Sequence, residues 1–163
     1  MSAEIRVIER GEAAGAARDL FALNEAHAEE LSRLPQEALS RLIAQAFLAL
    51  RAGDHAFLIA LDEGADTASE NFWWFRARFA RFVYVDRVAV SPEARGRGLA
   101  RAMYEALIRH ARAAGHERIV AEVNEDPPNP ASDAFHLAMG FTVIGAARLA
   151  NGKAVRYYER AVL

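Results

Sequence analysis

Residues 88–100 read Val88-Ala89-Val90-Ser91-Pro92-Glu93-Ala94-Arg95-Gly96-Arg97-Gly98-Leu99-Ala100. An apolar strand runs into a glycine-containing turn, and the turn opens a helix. Glycine lets the backbone approach a ligand with no Cβ in the way. The first turn of a helix presents unpaired N–H groups at the positive end of its dipole. Together these make a pyrophosphate site, and Arg95, Arg97 and Arg101 bring positive charge to the same place. Local residues leave a second reading open, a plain tight turn between strand and helix. The dinucleotide fingerprint would need a third glycine where Arg101 stands, and the triphosphatase loop needs Gly-Lys-Ser/Thr, which is absent.

The pattern on either side of the turn is alternately β and α. Phe82 to Val90 gives the strongest strand signal of the chain. Leu99 to Ala114 is an amphipathic helix, with Leu99, Met103 and Leu107 on one face and Arg101, Glu105, Arg109 and Arg112 on the other. Glu105 and Arg109 stand at i,i+4 spacing. Gly115 stops that helix, and Ile119 to Val123 follows as a buried strand. Asn129 reads as an N-cap with Pro130 at the first helical position, and the helix runs to Met139 before Gly140. Phe141–Ile144 and Ala154–Val162 close the chain as two strands joined by an Asn151-Gly152 turn. Upstream, Ile5–Ile8 is a first strand and Glu12 to about Arg33 a helix. Pro35 opens a second helix, whose apolar face is Leu39, Leu42, Ile43, Ala46, Phe47 and Leu50 and whose stop is Gly53. His55–Leu61 is a short apolar strand. Residues 62–81 read as a polar loop followed by a short helix or irregular strand rich in aromatics.

Composition narrows the chemistry. The 163 residues are expected to form one domain, 1–163, with no linker or repeat. The formal net charge of −2 offers no global field for nucleic acid. Lys153 is the only lysine, so the positive charge is carried by arginine, which suits phosphate and carboxylate contacts where it clusters. The absence of cysteine excludes disulfides, thiolate metal sites and a cysteine nucleophile. His27, His55, His110, His116 and His136 show no metal-ligand spacing, so no metal is expected. No Gly-x-Ser-x-Gly elbow is present. The N-terminus lacks a basic region followed by an apolar run, and no stretch approaches about 18 uninterrupted apolar residues. The expectation is a soluble cytoplasmic protein without a membrane partner.

Two stretches together resemble a known family. Arg95-x-x-Gly98-x-Ala100, after Val-Ala-Val and before an amphipathic helix, is similar to the acetyl-CoA signature Gln/Arg-x-x-Gly-x-Gly/Ala of the GNAT acetyltransferases. Asn129-x-x-Ser132-x-x-Phe135-His136-x-x-x-Gly140-Phe141 resembles that family's Asn-x-x-Ala-x-x-Phe-Tyr-x-x-x-Gly-Phe at the same spacing. The resemblance covers residues 82 to 145 well. Before that, only the strand–helix–helix–strand order matches. It implies an α/β (α+β) fold with a mixed, mostly antiparallel sheet that splays open between Phe82–Val90 and Ile119–Val123, flanked by helices. It implies acetyl-CoA as cosubstrate. Backbone groups of Val88, Ala89 and Val90 would contact the pantetheine arm like an added strand. The amides of Arg95, Gly96, Arg97, Gly98, Leu99, Ala100 and Arg101 would hold the pyrophosphate. Asn129 and Ser132 would stand at the cofactor arm, or Asn129 would simply cap its own helix. Two departures stand out. His136 occupies the place of a tyrosine that protonates the departing thiolate in many relatives. The loop from Val123 to Asn129 is longer than usual and holds Pro127 and Pro128.

The implied reaction is attack of a neutral amine on a thioester. An alkylamine of pKa about 10.4 is only about one part in 10³ free at pH 7, so its proton needs an acceptor. The leaving thiol, with pKa about 8.5, needs only a modest acid. Asp86 and Glu122 are acidic groups in otherwise apolar strands, where desolvation raises pKa. Either serves as base, or Asp86 pairs with Arg87 and Glu122 faces solvent. His136 is the corresponding acid, or else a packed histidine without a proton role. Phe72, Trp73 and Trp74, with Phe75, Arg76 and Arg78 following, wall the acceptor pocket or form core or a homodimer contact. Arg87 and Asn124 complete the expected pocket. The expected partner is a small-molecule amine or amino acid. A peptide or protein amine and a non-catalytic acyl-CoA sensor are the alternatives, and the presence of both carboxylates favours an enzyme.

Overall fold

A computed structural model describes residues 4–29 and 31–163. The elements run β1 (Ile5–Val7), α1 (Ala13–Ala26), α2 (Gln36–Gln45), β2 (Leu48–Ala52), β3 (Ala56–Asp62), α3 (Glu70–Arg76), β4 (Val83–Val90), α4 (Leu99–Ala113), β5 (Arg118–Asp126), α5 (Pro130–Ala138), β6 (Thr142–Arg148) and β7 (Ala154–Ala161). Seven strands form one sheet in the order β1-β2-β3-β4-β5-β7-β6. Every neighbouring pair is antiparallel except β4 and β5.

Strand alternation splits the apolar residues between two cores, one on each sheet face. Val83, Val85, Ile119, Ala121 and Tyr158 pack with Leu99, Met103, Tyr104 and Leu107 of α4. Tyr84, Val120, Val155 and Tyr157 pack with Leu20 of α1, Leu39 and Ile43 of α2 and Phe72 and Phe75 of α3. The site is built where these two layers meet across the β4–β5 seam.

Three expectations are corrected. The second helix does not reach Gly53. It ends at Gln45, and Leu48–Ala52 is a strand buried at every position. A continuous apolar run carries no period, so it fits a buried strand as well as a helix face. Gly53, at φ +52°, instead turns the β2–β3 hairpin. The first helix stops at Ala26 rather than Arg33. The partner of Glu105 is Arg101, at 3.2 Å, not Arg109.

β6 forms the outer edge and carries a register shift between Val143 and Gly145. Trp74 lies against that irregularity: a Cβ on Gly145 would stand 2.4 Å from its ring. The indole stacks on Tyr157 at 4.1 Å and is covered by Arg78 at 3.6 Å. Gly145→Ala is therefore expected to displace the indole, at a cost of roughly 1–3 kcal/mol, or several degrees in Tm. Thermal unfolding checks this, and a Tm within one degree of wild type would show that the ring has room to move.

Candidate active site

The turn after β4 has the geometry that its glycines foreshadow. Gly96 and Gly98 lie at φ +78° and +73°, where a side chain is strained. A Cβ at either would meet nothing within 4 Å, so it is the conformation and the open space in front of it that call for glycine. Gly98 is the N-cap of α4 and accepts from Ala102 N at 3.0 Å. The amides of residues 96–101 find no backbone acceptor among the described residues, which leaves a row of free donors. Arg95 and Arg97 are exposed and unpaired among the described residues, while Arg101 is held by Glu105. Positive charge, free donors and clearance coincide, as a diphosphate requires.

β4 and β5 pair only through Val83↔Ile119 and Tyr84↔Val120 and then part. The separation begins next to an irregularity. Opposite Ile59 and Ala60 of β3 the register jumps from Arg87 to Val85, so Asp86 is the extra residue of a bulge. A bulge turns its strand. Beyond it, Val88, Ala89 and Val90 keep β3 on one side and have no strand on the other. Their free edge can accept an amide-bearing chain as one more strand. The opening is a cavity of about 680 Å³, lined from both layers: by Tyr84, Val88 and Glu122 on the strands, by Asn71 before the aromatic run, and by Tyr104 and His136 on the other side.

Glu122 is one of the ionisable groups that line this cavity. Its Oε1 accepts from Tyr84 Oη at 2.9 Å and from Asn71 Nδ2 at 3.1 Å. Asn71 Oδ1 in turn accepts from Tyr157 Oη at 2.8 Å. Oε2 is buried and has no partner among the described residues. Burial, with Asp86 nearby, pushes the carboxyl up to about 8, against the opposing pull of the Tyr84 and Asn71 donors.

Asp86 is committed elsewhere. Its carboxylate accepts from Arg87 Nε at 2.8 Å, and both side chains are 7% exposed. Arg87 also donates to Asn24 Oδ1 at 2.8 Å and to Ser32 Oγ at 3.2 Å. The pair thus ties the bulge to the end of α1 and the segment after it. The ion pair expected as the alternative for Asp86 is present. Asn124 lines the cavity and accepts at its backbone oxygen from Asn129 N at 3.2 Å. Asn129 Oδ1 accepts from Ser132 N at 3.3 Å, so its capping role is formed.

His136 is placed differently from a direct proton donor. It is 3% exposed. Nδ1 lies 2.8 Å from the carbonyl oxygen of Ser132, and Nε2 lies 2.8 Å from Tyr104 Oη. A carbonyl only accepts, so the neutral ring carries its hydrogen on Nδ1 and takes one from Tyr104 at Nε2. Burial lowers its pKa and keeps it neutral. That ring has no proton left for the cavity, so the expectation of His136 as acid is corrected. The hydroxyl at this wall belongs to Tyr104, which the sequence reading passed over as one more residue of an amphipathic helix.

The aromatic run is corrected as well. Phe72 is fully buried, Trp73 is 52% exposed with Nε1 donating to Thr67 O, and Trp74 lies on Tyr157. None of the three lines the cavity, because the helical period of α3 turns Glu70 and Asn71 toward it instead. Tyr84 and Tyr157 were also missed. Their signal was polarity on the core-facing parity of strands, which reads as ordinary packing until the neighbours are known.

The sequence model of the Acetyltransferase (GNAT) family matches residues 20–141. The chain belongs to the GNAT acetyltransferase family. It is an acetyl-CoA-dependent acetyltransferase, and the open seam and phosphate turn fit that cosubstrate. Solved structures share the fold across the whole chain. The yncA protein of Salmonella typhimurium, solved with its cofactor acetyl-CoA, is 18% identical with a TM-score of 0.67 over 98% of this chain and 94% of that one. The ribosomal-protein-S18-alanine N-acetyltransferase of Escherichia coli is 17% identical with a TM-score of 0.67 over 98% and 93%. The polyamine N-acetyltransferase of Drosophila melanogaster, which forms N-acetylagmatine, is 15% identical with a TM-score of 0.69 over 97% and 99%. No curated protein matches the chain in sequence. Among the described residues no helix is long and apolar enough to cross a membrane, and no group of three His, Asp or Glu is placed to hold a metal ion.

The environment of Glu122 has a consequence for the stability of this GNAT enzyme. A carboxyl raised from 4.5 to about 8 stabilises the folded state fully below pH 4.5, relative to its ionised form, and that contribution is lost as pH rises through 8. Glu122→Gln cannot ionise. Its Tm relative to wild type should therefore climb between pH 5 and pH 9 and then level off. Calorimetry at stepped pH measures it; two parallel curves would show that Glu122 ionises at an ordinary pKa.

Proposed function

We propose that this enzyme acetylates the primary amine of a small molecule or amino acid by direct attack on acetyl-CoA, with Glu122 as the base. The observation that carries the reading is the asymmetry of its carboxylate. One oxygen is held by Tyr84 and Asn71, and the other is buried with no partner among the described residues, on a side chain that lines the cavity. Asp86 is occupied by Arg87 and leaves the role to Glu122.

In this reading the amine nitrogen forms a bond to the acetyl carbon, and the carbon–sulfur bond breaks. The amine proton passes to Glu122 Oε2. At a pH where Glu122 is ionised, about 8 and above, a thiol of pKa about 8.5 is roughly a quarter or more thiolate at equilibrium, so only modest acid assistance is required. Tyr104 Oη supplies a hydroxyl at the far wall. Backbone groups of Val88–Val90 orient the pantetheine arm, and the amides of residues 96–101 with the Arg95 side chain hold the pyrophosphate, supported by the free edge of β4 and the clear space before Gly96 and Gly98. A small acceptor is supported by the cavity, since about 680 Å³ must take both the arm and the amine. The neighbour that forms N-acetylagmatine acts on such an amine.

The decisive experiment follows free thiol release with a library of amines, amino acids and short peptides. Turnover on a small amine is expected. Turnover on peptides alone would move the acceptor class, and binding of acetyl-CoA without any turnover would favour a sensor. On a working acceptor, Glu122→Gln should lower kcat/KM by roughly 10²–10⁴-fold and remove the inflection near pH 8, leaving the slope set by the amine's own ionisation. Gly98→Asp should weaken acetyl-CoA binding at least tenfold by calorimetry, since it adds negative charge and strain where φ is +73°. Unchanged affinity would remove the turn from the cosubstrate site.

A further inference from the structure

The cavity receives a side chain from α3 whose polar contacts among the described residues both run inward. Asn71 links Tyr157 to the carboxylate, while Tyr84 reaches the same carboxylate directly. Its Oδ1 accepts from Tyr157 Oη at 2.8 Å on β7, and its Nδ2 donates to Glu122 Oε1 at 3.1 Å on β5. An amide can present either its oxygen or its nitrogen to a neighbour. A phenol hydrogen directed at Oδ1 fixes the choice, so the NH₂ faces the carboxylate. Tyr157 is itself held. Trp74 stacks on its ring at 4.1 Å, and Phe75 packs against it edge-on at 5.1 Å. The indole reaches that position because position 145 has no Cβ. A chain of contacts thus runs from the outer edge strand to the carboxylate.

We propose that Asn71, oriented by Tyr157, is a positioning residue that fixes the Glu122 carboxylate by its Oε1 and leaves Oε2 for the acceptor's N–H. The proposal rests on the reading of Glu122 as base and extends it to a residue that touches neither cosubstrate in that reading. Two donors on one oxygen leave little rotational freedom to the carboxylate, which is what an oriented proton acceptor needs. Two donors on that oxygen also favour the ionised form against burial. Removing one leaves a single donor, from Tyr84.

The groups that act on Glu122 come from every packed element. Tyr84 and Asp86 lie on β4, Tyr104 on α4, Tyr157 on β7 and Asn71 on α3, while His136 of α5 lines the same cavity. The tyrosines are held protonated by burial, and His136 is kept neutral. Within the range where Glu122 ionises, Asn71 and Tyr84 both remain donors to it.

The test is the pH profile of kcat/KM for wild type, Asn71→Ala, Tyr157→Phe and Glu122→Gln with one acceptor. Asn71→Ala should move the acid limb upward by about one pH unit and lower the plateau, because the carboxylate loses a charge-assisted hydrogen bond. Tyr157→Phe keeps the amide and removes only the hydroxyl that orients it, so the limb should move the same way by a smaller amount. Acetyl-CoA affinity should stay at the wild-type value in both. Lower activity with the limb unmoved in both variants would overturn the positioning role and leave the base intact. A Glu122→Gln profile that keeps the wild-type limb would instead overturn the base itself.

Discussion

The structure turns on two parallel strands that begin as neighbours and do not remain so. β4 and β5 share register at Val83 and Tyr84 and nowhere beyond. Unpaired backbone inside a protein is costly unless something else supplies its partners. The fold accepts that cost at one place, next to the Asp86 bulge, and the place is where both motifs of the sequence converge. The Gly96–Gly98 turn lies at the end of the strand that departs. The cavity lies in the gap, and the two apolar layers that the sheet otherwise separates both open into it.

Opposite faces bring different chemistry to the gap. On the side of α1, α2 and α3 the polar groups include a carboxylate and its donors, arranged so that burial and hydrogen bonding pull in opposite directions. Burial prevails, and the group ionises near 8 instead of 4.5. On the side of α4 and α5, Tyr104 and His136 satisfy one another, and both stay uncharged. The cation Arg87 is absorbed by Asp86, Asn24 and Ser32.

Much of this was legible in the sequence wherever a local rule decides it. Gly96, Gly98, Asn129 and Pro130 declare turns and caps by residue type, and the structure has them where they were read. Leu99 to Ala113 follows a helical period unambiguously. The failures have a shared cause. Phe47 to Ala52 has no period, and only its neighbours β1 and β3 make it a strand. Phe72 and Trp74 looked like a pocket wall because aromatics suit one, but a two-turn helix can show only one face to the cavity, and Asn71 is on it. Asp86 and Glu122 were indistinguishable as acids in apolar strands. What separates them is the ion pair of Asp86 with Arg87, an open alternative in the sequence that the folded geometry shows formed. Tyr84, Tyr104 and Tyr157 look like packing in one dimension, and become polar only when their hydroxyls are seen to meet Glu122, His136 and Asn71.

The short β4–β5 seam bears on more than access. Left and right halves of the sheet are joined there by two residue pairs, where the other junctions have several. Any molecule that lies along the vacant edge of β4 acts as a missing rung and binds only the folded chain. Its contribution grows with the logarithm of its concentration, reaching about 2.7 kcal/mol at a hundred times its Kd. A chain with such an occupant would have its endurance indexed to the occupant's supply, and scarcity would weaken the scaffold as well as slow the chemistry.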